Sequence, residues 1–201
     1  FDNARVNEAE ILAGHVQDLA GAEEALHRAI EELTKLMKRK FETTFDQVAK
    51  AFEQNLLSFT RIVGAAAPEM AKAKYGRVLT IAPSSIKQPI PNLALSNALR
   101  AGVWGIAKTL SRELASQGIL VDVIAPGRID TERIAELDQA NAQKSGKPIE
   151  DVRKASVASI PLGRLGRPEE LANLVVFLAS QAASYITGQA ITVDGAAGNA
   201  L

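Results

Sequence analysis

Arg77-Val-Leu-Thr-Ile-Ala82, stopped by Pro83, is nearly all apolar and rich in β-branched side chains. That composition suits a strand covered on both faces. A second run of the same kind, Ile119-Leu-Val-Asp-Val-Ile-Ala125, ends at Pro126-Gly127. Between the two, Leu95, Leu99, Val103, Ile106, Leu110 and Leu114 recur at helical spacing, so residues 92–117 read as a helix stopped by Gly118, and Gly102 within it invites close packing. Strand, crossover helix and strand make the βαβ unit of a parallel sheet, and both strands then end on one edge. Gly188-Gln-Ala-Ile-Thr-Val-Asp194 reads as a third strand. The expected fold is an α/β parallel sheet flanked by helices.

Towards the N-terminus, Leu26, Ile30, Leu33, Met37, Phe41, Phe45, Val48, Phe52 and Leu56 form a helical stripe. Thr44-Phe-Asp-Gln47 has the form of a capping box, so a fresh helix is expected from there to about Ala71. Glu10-Ile-Leu-Ala-Gly14 has the look of a short strand end. Towards the C-terminus, residues 128–160 are polar and charged, with Lys144-Ser-Gly-Lys-Pro148 as a loop between helical pieces, a segment that either closes over a ligand or is an ordinary surface excursion. Pro168-Glu-Glu then opens a helix whose apolar face is Leu171, Leu174, Val175 and Leu178. With no repeat, low-complexity tract or linker, residues 1–201 are expected to form a single domain.

The bulk properties remove several classes of function. The chain has 201 residues, 47% of them apolar, enough for a sizeable core. Its 23 basic and 23 acidic residues cancel, leaving no field for a nucleic-acid backbone or an anionic membrane. The absence of cysteine excludes a disulfide scaffold and a thiolate nucleophile, and fits a reducing compartment. His15 and His27 are on the wrong spacing for a helical pair, so no metal is expected. The start lacks the pattern of a secretory signal and no apolar run reaches membrane-spanning length, which leads to the expectation of a cytoplasmic protein without a membrane partner.

In an open parallel sheet, ligands bind beyond the carboxyl ends of the strands, where loops splay apart and helix N-termini converge. Two loops fall there. Ala82-Pro-Ser84-Ser85 offers hydroxyls that can donate to a substrate oxygen, or that serve as ordinary turn serines. Ala125-Pro-Gly127-Arg-Ile-Asp-Thr131 brings backbone close to a flat ligand and sets Thr131 at the start of the next segment, or is a structural turn.

Gly76-Arg-Val-Leu-Thr-Ile81 and Asp122-Val-Ile-Ala-Pro-Gly127, together with Arg112-Glu-Leu-Ala-Ser-Gln-Gly118, Ile160-Pro-Leu-Gly-Arg-Leu-Gly-Arg-Pro-Glu-Glu170 and Ala183-Ser-Tyr-Ile-Thr-Gly-Gln-Ala-Ile-Thr-Val-Asp-Gly195, resemble the C-terminal half of a short-chain dehydrogenase/reductase. Within that family they are similar to the 3-oxoacyl-(acyl-carrier-protein) reductase-like members over residues 42–196. The resemblance implies a Rossmann-type doubly wound sheet, NAD or NADP as cofactor, hydride transfer with a small carbonyl or alcohol substrate, and a homo-oligomer, tetramer or dimer.

Carried over, the resemblance puts Asn55 at the active-site asparagine, Ser85 at the carbonyl-polarising serine, and Ser96 and Arg100 where the family's tyrosine and lysine stand. One helical turn separates Ser96 from Arg100, so they share a face. A serine without an adjacent base is a poorer proton donor than a phenol beside a cation, and Lys87 is either a local alternative acid or a solvated loop lysine. Val16, Pro126, Gly127, Ile129 and Thr131 fall at cofactor-contacting positions, with His15 where an aspartate is usual. The chain has no counterpart of the family's glycine-rich turn, nor of its first, second and fourth strands, so segments of the protein are expected to be missing near Phe1 and between about Ala25 and Phe41. An intact mass near 21.4 kDa would contradict that expectation. Three functions compete: an NAD(P)-dependent oxidoreductase, a non-catalytic nucleotide-binding or scaffold protein of the same fold, and an interaction module built on the long helical stripe, which lacks sustained e/g charge pairing.

Overall fold

The structure is a computed structural model that describes residues 24, 27–28, 30–32, 44–91 and 93–199. Val16, His15 and the expected strand end at Glu10–Gly14 lie outside the described residues. Two compact units make up the chain, Phe1–Phe52 and Glu53–Leu201. In the first, helix α1 (Phe45–Phe52) starts at the expected capping box. The Thr44 N–H donates to Gln47 Oε1 at 2.9 Å and the Gln47 N–H to Thr44 Oγ1 at 3.3 Å, satisfying donors that a helix start leaves open.

In the second unit, a π-helical turn (Glu53–Leu57) leads into α2 (Ser58–Ala73). The single helix expected over residues 44–71 is therefore interrupted, because one extra residue is accommodated at Glu53–Leu57. Lys74, in the left-handed region at φ 50°, ends α2. Strand β1 (Gly76–Ile81), helix α3 (Ala94–Glu113) and strand β2 (Ile119–Pro126) follow. Helix α3 is shorter than expected at both ends. The Asn97 side chain donates to Ile90 O at 2.9 Å and accepts from Ile90 N at 3.3 Å, which ties the proline-rich loop to the helix instead of extending it. At the other end Ala115–Gln117 tightens into a 3-10 turn and Gly118 stops it at φ 79°.

Helices α4 (Glu132–Ser145) and α5 (Ile149–Ala158) occupy the polar stretch, separated by Gly146 at φ 67°. Helix α6 (Pro168–Ala179) begins on proline as expected, and Glu170 reaches back to the Arg167 N–H at 2.7 Å. Strand β3 (Ala190–Val193) is shorter than the run 188–194 because Asp194 is drawn into a turn.

The three strands are parallel in the order β1-β2-β3, with Val78 opposite Val121 and Ile124 opposite Ile191. Alternation sends Val78, Val121, Val123 and Ala125 to one face, against Phe59, Met70 and Ala71 of α2 and Trp104, Ala107 and Leu110 of α3. Leu79 and Ile124 point to the other face, against Leu171, Leu174 and Leu178 of α6. Helices on both faces explain why β2 reads as one apolar run, and they make the sheet the expected doubly wound Rossmann type.

Candidate functional site

A cavity of about 550 Å³ opens beyond the carboxyl ends of β1 and β2. Pro83 and Ser84 line it from the first strand, Pro126 and Gly127 from the second, and Ile134 and Leu137 of α4 cover it. Ser159 and Ile160, after α5, complete that wall, so the polar stretch expected to close over a ligand does border the cavity. The turn after β3 supplies the last side through Asp194, Ala196 and Gly198.

Each wall is held by identifiable contacts. The Gly127 N–H donates to Val193 O at 3.0 Å, and a Cβ on Gly127 would meet the Asp194 Cα and Cβ at 2.7 Å. Glycine is therefore required for the exits of β2 and β3 to lie this close. Both oxygens of Asp194 accept backbone N–H groups, from Ala196 and Gly198, each at 3.0 Å. The Asn199 N–H donates to Gln88 Oε1 at 2.7 Å, joining this turn to the loop after β1. Behind the β2 exit, the Arg128 guanidinium is ion-paired through Nη2 to the buried Asp138 of α4.

The expected site residues are brought together only in part. Ser84, not Ser85, lines the cavity; Ser85 is 4% exposed, and its hydroxyl has no hydrogen-bond partner among the described residues. The shift by one residue follows from the 3-10 turn at Ser84–Ile86, which rotates successive side chains through a third of a turn. Lys87 lines the cavity mouth. Ser96 and Arg100 sit half-buried on α3, and Asn55 half-buried in the π-turn. None of these three is among the cavity-lining residues. Helix α3 packs against that turn at Gly102, where a Cβ would come within 2.9 Å of Leu56 Cδ1, in keeping with the close packing expected there.

Pro126 and Gly127 line the cavity, whereas Ile129 and Thr131 do not. Ile129 is buried in a parallel bridge to Gly166, and Thr131 is the exposed N-cap of α4, its hydroxyl donating to Ile129 O at 3.3 Å. Neither tyrosine reaches the cavity: the Tyr75 hydroxyl donates to Ala179 O at 3.1 Å, and Tyr185 is fully exposed.

Arg128, Asp138 and Asp194 were not singled out in the sequence. Their roles depend on pairings across loops that have no periodic signature, although an aspartate directly after a strand and before Gly195 is a turn signal. In the middle of β2, burial pushes the Asp122 carboxyl above its usual range, while the Gln189 N–H at 2.8 Å and the positive Arg77 and Lys108 oppose the shift. Asp122 fastens β2 to the entry of β3 and takes no part in the cavity. Among the described residues no three His, Cys, Asp or Glu side chains are grouped as a metal site requires, and no helix is long and apolar enough to cross a membrane.

A family model described as enoyl-(acyl carrier protein) reductase matches residues 6–196. The 3-oxoacyl-(acyl-carrier-protein) reductase FabG of Escherichia coli is 39% identical over 162 residues, which are 80% of this chain and 59% of that protein. MabA of Mycobacterium tuberculosis, a reductase with the same description, is 36% identical over 162 residues, 81% of this chain and 60% of that protein. The chain thus spans about three fifths of the length of these curated relatives. A protein of Beutenbergia cavernae, provisionally assigned as an NAD(P)-dependent gluconate 5-dehydrogenase and solved with NADP at low occupancy, is similar over 77% of this chain and 58% of its own. Its TM-score is 0.68 and its identity 30%.

Proposed function

Because the chain belongs to the short-chain dehydrogenase/reductase family, we propose that it is an NAD(P)-dependent oxidoreductase, 3-oxoacyl reductase-like, acting between a nicotinamide and a carbonyl or alcohol carbon. The observation that carries this reading is the cavity at the carboxyl ends of β1 and β2, walled by Ser84 on one side and Pro126-Gly127 on the other. The family match over residues 6–196 also supports treating the chain as one domain of this type.

The residues present fit the nicotinamide end of such a cofactor. Pro126 and Gly127 line the cavity where the strand exits converge, and Thr131 stands at the positive N-terminus of α4. Pro126, Gly127, Ile129 and Thr131 are the proposed holding residues, with Val16 on the adenine side. The nicotinamide supplies hydride exchange when bound. The chain's own task is to fix the substrate oxygen and move a proton to or from it. We assign that to Ser85, Ser96, Arg100 and Asn55, with Lys87 as the alternative acid at the cavity mouth.

A second reading, a nucleotide-binding scaffold without turnover, is favoured by one observation: both tyrosines are engaged or exposed away from the cavity, so neither replaces the phenol at whose position Ser96 stands, with Arg100 at the lysine's. Titration with NADH and NADPH, followed by absorbance with a panel of ketones and alcohols, separates the two. Turnover supports the oxidoreductase. Binding without turnover, unchanged in Ser96→Tyr with Arg100→Lys, supports the scaffold, and no nicotinamide binding refutes both. Exposed Leu162, Val176, Phe177 and Tyr185 support a homo-oligomer, dimer or tetramer, testable by light scattering. The cysteine-free composition supports a cytoplasmic site.

A further inference from the structure

The polar groups of the cavity are unevenly committed. Its carboxylate and amide acceptors are engaged by the protein: Asp194 receives one backbone N–H on each oxygen and keeps its charge, Gln88 Oε1 receives the Asn199 N–H, and Asp138, behind the wall, is paired with Arg128. Its donors are not. Lys87 Nζ has no carboxylate or hydrogen-bond partner among the described residues, and the Ser84 hydroxyl donates to nothing there. Arg128 uses Nη2 on Asp138, which fixes the direction of the guanidinium, while Nη1 donates to no described residue. Ser84 and Lys87 come from the loop after β1 and Arg128 from the loop after β2, so the unspent donors flank the same strand ends. Much of the remaining wall is apolar, with Pro83, Ile90, Pro126, Ile134, Leu137 and Ile160.

We propose that the cavity selects substrates whose apolar body carries an oxyanion, a carboxylate or phosphate received by Lys87, Ser84 and Arg128. An anion gains charge-assisted bonds from these donors, whereas a neutral ligand gains only ordinary hydrogen bonds while the exposed Lys87 stays hydrated. Lys87 acts as a point charge at the mouth; Arg128, oriented by Asp138, adds a directed N–H. The proposal rests on the oxidoreductase reading for the word substrate, and on the cavity alone for the preference.

The test is calorimetric titration of the full chain, at fixed low ionic strength, with levulinate and with methyl levulinate. These are one keto compound with and without its carboxylate. The titrations are run with and without saturating NADPH, whose binding is followed separately by fluorescence. Levulinate is expected to bind about tenfold tighter than the ester. Lys87→Gln is expected to bring the two affinities together, and inorganic phosphate to compete with levulinate. Lys87 is exposed, so its replacement leaves the fold intact. Arg128→Gln combined with Asp138→Asn, which strands no buried charge, is expected to narrow the gap as well.

Equal affinities for acid and ester would overturn the proposal, as would a gap that both variants leave unchanged. A preference abolished by NADPH would also overturn it, because the donors would then serve the cofactor's own phosphates. Failure of NADPH to bind, with the levulinate preference intact, would overturn the oxidoreductase reading and leave the oxyanion site standing.

Discussion

Replacing Gly127 by alanine tests how the cavity is built. An ideal Cβ there would lie 2.7 Å from both the Cα and the Cβ of Asp194. Carbon atoms prefer about 3.5–4.0 Å, so the exits of β2 and β3 would have to separate by roughly 1 Å. Little can yield cheaply. The Gly127 N–H is held by Val193 O at 3.0 Å, and Asp194 is pinned through both carboxylate oxygens to its own turn. Overpacking of this kind costs about 1–3 kcal/mol. For a chain of this size each kcal/mol shifts Tm by about 2–4 °C, so a fall of roughly 2–12 °C is expected. Gly105→Ala is the internal control: no atom lies within 4 Å of the added Cβ, and the position is inside α3. It should gain about 0.5–1 kcal/mol through helix propensity. Melting curves by circular dichroism read both. A Gly127→Ala protein as stable as the parent, with Gly105→Ala raised as expected, would refute the close approach of the two strand exits.

Further outcomes follow from the charged groups. Asp138→Ala should destabilise by about 3 kcal/mol, the low end for a broken buried pair because Arg128 keeps 28% exposure, and Asp138→Leu with Arg128→Met should recover most of the loss in urea unfolding. Asp122 holds its proton to higher pH in the fold than its ordinary 3.8, so the folded state binds more protons and stability falls as pH rises above about that value. Asp122→Asn, which keeps an acceptor for the Gln189 N–H, should remove this fall; an unchanged stability profile between pH 3 and 7 would contradict it. Glu170 is held down to about 2 by the Arg164 side chain and then by the Arg167 N–H, so its stabilisation is present above 4.5 and lost as pH drops towards 2. In Arg164→Gln its carboxyl signal in an NMR titration should move back towards 4.5.

The sheet was legible in the sequence because β2 is buried on both faces and must be apolar throughout, and because Gly118 and Pro83 punctuate the strands. The capping box at Thr44 was legible for a similar reason, since its donors have local partners. The π-turn was not: accommodating one more residue in a helix leaves the apolar stripe on either side unchanged, and Asn55 at its centre has no local signature. Ser84 and Ser85 could not be told apart, because the choice depends on the rotation of a 3-10 turn after Pro83. Arg128 and Asp138 meet across a loop and a helix turn, and the Asp194 turn meets the β1 loop through Asn199 and Gln88. Both are tertiary pairings that periodicity does not encode.

A nicotinamide held at the strand ends, as proposed, would be seen directly in a crystal structure of the chain with NADPH. The nicotinamide ring should lie against the Pro126-Gly127 backbone, within about 4 Å, between it and Ser84-Ser85. A ring bound elsewhere, or no NADPH at saturating concentration, would contradict a nicotinamide site at these strand ends.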